Sequence, residues 1–521
     1  MPRDSTSTPA DEDAPGPPIS VPDSGDMGEG GKLKMIVQLL KKCLGVKDIA
    51  AIINDSTDPF DRMLAVLRFA FTKDIKFVHG KVCKPYNSVL GEHFRAHWDI
   101  VPITYSGEPS QAPTPLIYTI PAGSEPTTVT SETASVKSTK SSKSTRSGIS
   151  SFLSKPGKSP STAATSPHQP ADDAVNAAMS SLNLAGDPSR LRVVYVTEQV
   201  SHHPPVSAYF ATCPARHIEL SGIDQISAKV SGTTLRVLPG EYNQGLFVNI
   251  TGGPGQGERY RITHPTASVN GILRGSFYIT VGDSTIITCE GGKPGQKFRA
   301  IIEYKEESWL GKAHFLLEGV IHTVHEGDTD HEAWTKVKHV PQSCIAAVFD
   351  GSWRGHIRWR RVGLASYPPN RSSAVSSPVP SHETLPRSSI SSAAASKAEL
   401  VAHDEEYTTL LDLSTLKVVP KNVRPLEKQL PHESRKLWVN VTDNLLKKEF
   451  SEATKEKVAI EQRQRDEAAE RKKKGVEFIP RYFEKGLDKG FAALTAEGRA
   501  AVEEELKEES AFCIEGSEGS S

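Results

Sequence analysis

The 521-residue sequence is poor in cysteine: six are present (Cys43, Cys83, Cys213, Cys289, Cys344 and Cys513), and no two stand as a CxxC pair. That spacing argues against a zinc knuckle or a redox dithiol, and scattered single thiols fit a reducing compartment. A charge imbalance is also missing. Sixty-two Lys and Arg face 63 Asp and Glu, for a net charge of -1. Global charge therefore gives no sign of nucleic acid as a partner, and any electrostatic binding must come from a local cluster. No run approaches the ~18 apolar residues that a spanning helix requires. Residues 1–18 are acidic and Pro-rich, without the basic and apolar regions of a secretory signal. The expectation is a chain that touches a membrane at most peripherally. GxSxG and HExxH strings are absent too, so hydrolase chemistry has no motif to rest on.

What is present divides unevenly along the chain. Residues 1–31 read as an acidic disordered tail. Over 32–45, Leu33, Ile36, Val37, Leu40 and Leu44 recur at helical spacing with Lys34, Lys41 and Lys42 off the apolar stripe, which predicts a short amphipathic helix. The Asp58-Pro59 pair predicts the start of a second helix, over 58–71. Residues 106–188 and 366–397 are Ser- and Pro-rich insertions, too poor in apolar side chains to offset the entropy of ordering them. The first is purely basic between Lys137 and Lys158. It reads as a solvated loop or as a regulatory, membrane-attracted one.

From 191 to 325 the period falls to two. About ten short β-rich runs, separated by turns such as Gly252-Gly253, Gly282-Asp283 and Gly291-Gly292, follow one another without intervening helices. This predicts an antiparallel meander, and closure into a barrel would remove its unpaired edges. A barrel of more than ~8 strands is wide enough to hold a ligand. A charged helix over 451–474 and an acidic one over 495–509 are expected before a Gly/Ser tail.

Three strings stand out. Glu198-Gln199-Val200-Ser201-His202-His203-Pro204-Pro205 lies between two predicted strands, and its prolines hold an extended backbone. Neighbouring residues on an extended chain point apart, and no carboxylate or Cys sits at ligand spacing, which argues against a metal. A general base lacks a nucleophile motif. Anion binding by two imidazole donors fits best, with a plain turn as the alternative. The second string, from Lys84 to Glu92, sets Lys84 three residues before Asn87 in a Pro- and Gly-bounded loop. In the third, Lys457, Glu461 and Arg465 follow i, i+4, i+8 spacing on one helix face, where a solvated salt-bridged face is the plain alternative.

Together, and in this order, the strings resemble the oxysterol-binding protein family. EQVSHHPP is similar to that family's signature, KPYNSVLGE to its upstream lysine-asparagine motif, and ATKEKVAIEQRQR to its C-terminal helix. Glu433-Ser434-Arg435 with Leu437-Trp438 resembles the segment before that helix. The likeness spans about 32–490 around the two insertions, leaving 491–521 as a C-terminal helix and tail. It implies an α+β fold: a large, incomplete antiparallel β-barrel around an apolar tunnel, with an N-terminal lid and flanking helices. The lid would be the helix carrying Leu33, Ile36, Val37, Leu40 and Leu44; core packing is the competing use of that stripe. The resemblance further implies a headgroup site made of Lys84, Asn87, His202, His203, Lys457, Glu461 and Arg465. That site would bind phosphatidylinositol 4-phosphate, in exchange for a sterol or phosphatidylserine. Lys84-Pro85-Tyr86-Asn87 with the nearby Phe94-Arg95 and Trp98 look closest to members that carry phosphatidylserine, while the breadth of the family favours sterol at least as much. Ser88 departs from the family's usual proline, which predicts a softer loop. No cofactor, metal, catalysis or nucleic acid is implied. The expectation is a monomeric, cytosolic protein in transient contact with endoplasmic reticulum, Golgi or plasma membrane. A lipid sensor without net transport is the alternative. No pleckstrin-homology-like domain, acidic di-phenylalanine motif or tail anchor is visible.

Overall fold

The computed structural model describes residues 52–73, 75, 86–100, 191–231, 234–270, 278–306, 314–325, 327–362, 407–416 and 421–508. Helix α1, Pro59–Thr72, begins where the Asp-Pro pair predicts: the Asp58 carboxylate accepts from the Phe60 N–H at 2.8 Å. The strands are β1 (His93–Ile100), β2 (Leu191–His202), β3 (Pro205–Cys213), β4 (Ile218–Asp224), β5 (Ile226–Ser231), β6 (Thr234–Pro239), β7 (Leu246–Ile250) and β8 (Glu258–Ile262). After them come β9 (Thr266–Asn270), β10 (Tyr278–Gly282), β11 (Ser284–Gly291), β12 (Lys297–Tyr304), β13 (Leu316–Val324), β14 (Ile345–Ser352), β15 (His356–Arg361) and β16 (Thr408–Asp412). Four helices follow: α2 (Ser434–Leu437), α3 (Val439–Leu446), α4 (Phe450–Lys474) and α5 (Ala496–Lys507). No described helix is long and apolar enough to cross a membrane.

Twelve strands form one antiparallel sheet in the order β1-β2-β3-β4-β7-β8-β11-β12-β13-β14-β15-β16. The remaining four, β10-β9-β6-β5, form a second sheet, so the meander is not the single unbroken series that periodicity suggests. Among the described residues β1 and β16 do not pair, and the two edges are covered instead. The backbone of His97 exchanges hydrogen bonds with Asn422 along β1. At the other edge Leu410 is an extra residue in a bulge of β16, and its carbonyl accepts from the buried Arg68 of α1 at 3.1 Å.

The large sheet curls around α1. Arg62 of α1 pairs with Glu258 at the start of β8 (Nε to Oε2, 2.8 Å), and Arg68 reaches β16. In a flat sheet those strands, six places apart, would be about 29 Å apart. The two arginines lie only ~9 Å apart along the helix. Phe60 meets Phe298 of β12 at 5.3 Å and Trp359 of β15 at 5.7 Å, while Phe71 meets Phe349 of β14 at 6.2 Å. Mostly apolar, α1 is buried nearly all round, and its two buried arginines are satisfied by Glu258 and the Leu410 carbonyl. It fills the end of the interior where β2 begins. The β2–β3 turn lies at the opposite end. The expected lid residues Leu33, Ile36, Val37, Leu40 and Leu44, the tail over 1–31 and both insertions lie outside the described residues.

Candidate functional site

The HHPP string forms the turn between β2 and β3. His202 pairs with Pro205, and His203 and Pro204, joined by a cis peptide bond, occupy the turn itself. The two imidazoles meet edge to face, with ring centroids 4.6 Å apart; His202 is half-buried and His203 exposed. A bulge at Val200 sets their direction. Gln199 opposes Ser207 and Ser201 opposes Val206, leaving Val200 unmatched. Residues three apart on a regular strand point to opposite faces. The bulge puts Gln199 and His202 on one face, where Gln199 Nε2 lies 3.5 Å from His202 Nδ1. Ser207 Oγ donates to Gln199 Oε1 at 3.4 Å.

That face is the inner one, continuous with Val193 and Tyr195 on β2 and with Tyr209 on β3. Tyr209 lies across Gly222 of β4, where a Cβ would come within 2.2 Å of its hydroxyl. Burial, with the Asp224 carboxylate nearby, pushes the Tyr195 and Tyr209 phenols up from their ordinary value. Burial, with Lys73 close by, lowers the His264 imidazole to about 3.

The three strings meet on one rim. The Gly91 N–H donates to the Gln199 carbonyl at 2.9 Å, and the Gln199 N–H to the Glu92 carbonyl at 2.8 Å, so the second string is paired backbone to backbone with the first. Tyr86 stacks on Trp438 with centroids 4.6 Å apart and shares a 2.9 Å hydrogen bond with Thr442 of α3. Val89, Leu437, Trp438 and Val441 then pack with Ala453 and Ile460 of α4, which carries the third string.

Two carboxylates of the strings hold this arrangement. Glu92 accepts from the Val89 N–H at 3.1 Å, from Ser434 Oγ at 2.7 Å and from Trp438 Nε1 at 3.1 Å. Glu198 points to the outer face and accepts from the N–H groups of Arg481 and Tyr482, each at 2.7 Å. Gln199, Glu92 and Glu198 are the residues that reading for charged headgroup ligands overlooks. All three lie inside the quoted strings, but a bulge and a contact nearly 300 residues away leave no local signal.

The expected headgroup residues fare differently. Asn87 is half-buried, next to Tyr86, which stacks on Trp438; Lys84 lies outside the described residues. Lys457 and Glu461 form an i, i+4 ion pair at 2.7 Å on the half-buried face of α4. Arg465 is exposed and donates to Gln462 Oε1, one turn back, at 2.9 and 3.2 Å. Each step of four turns a helix by about 40° beyond a full circle. By Arg465 the trio has therefore rotated away from the stripe of Ala453 and Ile460. Among the described residues no cluster of His, Cys, Asp or Glu could hold a metal ion.

Residues 183–505 match the family model described as "Oxysterol-binding protein". The chain is 37% identical over 525 residues to "Oxysterol-binding protein-like protein 1" of Schizosaccharomyces pombe, covering 92% of each. It spans about half the length of several other curated relatives, at 27% to 30% identity. Among solved structures, it resembles the Osh1 ORD domain in complex with cholesterol (TM-score 0.47, 15% identity, 91% of this chain and 81% of that one). It also resembles the Osh3 ORD of Saccharomyces cerevisiae in complex with PI(4)P (TM-score 0.45, 14%, 91% and 85%). On the family model and the fission-yeast relative, the chain belongs to the oxysterol-binding protein family, a family of lipid-binding proteins and not of enzymes.

Proposed function

We propose that this protein is a cytosolic intermembrane lipid transfer protein. It binds a sterol or phosphatidylserine and exchanges it for phosphatidylinositol 4-phosphate. The observation that carries the proposal is the meeting of the three strings, tied by the Gly91–Gln199–Glu92 backbone pairing and the Tyr86–Trp438 stack, at the end opposite α1 of a sheet curled around an apolar interior. In this reading Lys84, Lys457 and Arg465 pair with phosphate charge. His202 and His203 donate to phosphate oxygens, Asn87 bonds phosphate or inositol oxygens, and Glu461 orients the cations or accepts an inositol hydroxyl. The 32–45 helix covers the bound chains. Enclosure is what the task demands: a two-chain lipid in water exposes ~30 methylenes at about 0.8 kcal/mol each, roughly 24 kcal/mol.

The test is exchange between vesicles. Purified protein is expected to speed the movement of labelled sterol or phosphatidylserine from one vesicle population to another in the presence of phosphatidylinositol 4-phosphate. The double variant His202→Ala, His203→Ala is expected to lose phosphoinositide binding with an unchanged melting temperature, because His203 is exposed and His202 half-buried. Wild-type protein that exchanges no lipid would refute transport. A double variant that melts early would make the histidines structural.

A further inference from the structure

The segment from Glu470 to Lys485 has no role in the headgroup reading, yet its placement is distinctive. It carries six cations (Arg471, Lys472, Lys473, Lys474, Arg481, Lys485) against three carboxylates. Glu470 is engaged by Lys474 at 2.5 Å and Glu477 by Lys485 at 2.6 Å. Among the described residues Lys472 and Lys473 have no carboxylate within ion-pair distance, and both are exposed. Beyond Gly475, which ends α4 at φ 62°, the chain alternates. Val476 (55%) and Ile479 (74%) are exposed; Phe478 and Pro480 turn inward. Phe478 lies against Gly91, where a Cβ would come within 3.1 Å of its ring, and the next two N–H groups after Pro480 are held by Glu198. Both signature strings thus fix this segment to the rim that bears the histidine turn.

We propose that Lys472, Lys473, Val476 and Ile479 form the surface on which the protein docks onto an anionic lipid bilayer, with the rim facing the headgroups. A single exposed aliphatic side chain on a protein surface calls for no explanation. Two of them on a segment pinned from behind, directly after a run of four cations, match the chemistry of an interfacial anchor: apolar side chains enter the acyl boundary while lysines meet anionic headgroups. Charge complementarity selects the bilayer as occupant. The segment is excluded from the core by Phe478 and Pro480, which already fill the inward positions. The proposal rests on the reading that the protein works at membranes, and it specifies the face that does so.

Flotation of the full chain with vesicles tests it, comparing phosphatidylcholine alone with phosphatidylcholine containing phosphatidylserine. Binding is expected only to the anionic vesicles and to weaken as salt is raised. Lys472→Glu with Lys473→Glu, and separately Val476→Ser with Ile479→Ser, are each expected to bind those vesicles at least about tenfold more weakly. Melting temperature and the affinity for a soluble inositol phosphate are expected to stay as in wild type. Variants that float like the wild type overturn the docking surface and leave an acidic protein as the occupant to pursue. Wild-type protein that floats but exchanges no lipid overturns transport and leaves this surface standing.

Discussion

At the residue scale, the signature string mixes two jobs that look alike in sequence. His202 and His203 sit in an exposed turn, while Glu198, four positions earlier, is almost wholly buried on the other face. Its carboxylate satisfies two backbone N–H groups of a segment nearly 300 residues away. Removing it leaves the buried Tyr482 N–H unmatched, at about 1–3 kcal/mol, and the part-buried Arg481 N–H unmatched at a smaller cost. Glu198→Ala is therefore expected to lower unfolding stability by roughly 3 kcal/mol, and His203→Ala by less than about 0.5 kcal/mol. Urea titrations of the two variants would show this as well-separated midpoints; equal midpoints would remove Glu198 from its structural role. The string's unusual composition is legible without coordinates. The division of labour within it is not, because it depends on the bulge at Val200. One unmatched residue changes which side chains share a face, and nothing in Gln-Val-Ser announces it.

At the element scale, local signals served well where they were self-contained. The Asp-Pro pair starts α1, the charged run gives α4 (Phe450–Lys474), and Thr495 caps α5 by accepting from the Gly498 N–H at 3.0 Å. Periodicity says less where tertiary context decides. The segment HFRAHWDI alternates polar with apolar residues, as a strand with one solvated face does, yet in β1 the polar face is buried as well: Arg95, His97 and Asp99 find partners on α5, the 422–433 segment and Arg192 of β2. The role of α1 was equally hidden: an apolar helix does not say what it will be wrapped in. Gly319 of β13 makes the wrapping possible. A Cβ there would lie 2.0 Å from the ring of Phe349, which in turn meets Phe71 of α1. Gly319→Ala is expected to displace that ring and destabilise the protein by about 1–3 kcal/mol. A crystal structure of the variant with Phe349 unmoved, or a melting temperature equal to wild type, would contradict this chain of contacts.

At the scale of the whole molecule, the strings announced the family and the large antiparallel sheet. The split into two sheets, the filled end of the interior and the packing of α5 onto β1 and β2 required coordinates, since each depends on which distant segments meet. Those meetings also set how the fold responds to acid. Burial, against a bond to the Gly91 carbonyl, lowers the His93 imidazole from 6.5 to about 4. Burial lowers His322 to about 4 and His264 to about 3. As pH falls through 6.5 the unfolded chain takes up these protons and the folded protein does not, so stability declines from pH 6.5 toward 4. For His93, one of whose ring nitrogens, Nε2, is buried without a partner among the described residues, the loss by pH 5 is about 2 kcal/mol. Glu505 adds to the decline further down. Burial raises its carboxyl, but hydrogen bonds from His97 and Arg424, both at 2.7 Å, outweigh burial and hold it below 4.5. Its contribution is complete above 4.5 and disappears as pH drops through the folded value. Glu198 and Glu219, raised by burial, act in the opposite sense, but only in the window that starts at 4.5 and extends upward. The urea midpoint is thus expected to fall between pH 7.5 and 5, with a shallower fall in His93→Gln. A midpoint flat over that range, or an equal slope in the variant, would mean that these histidines take up protons in the folded protein as readily as in the unfolded chain.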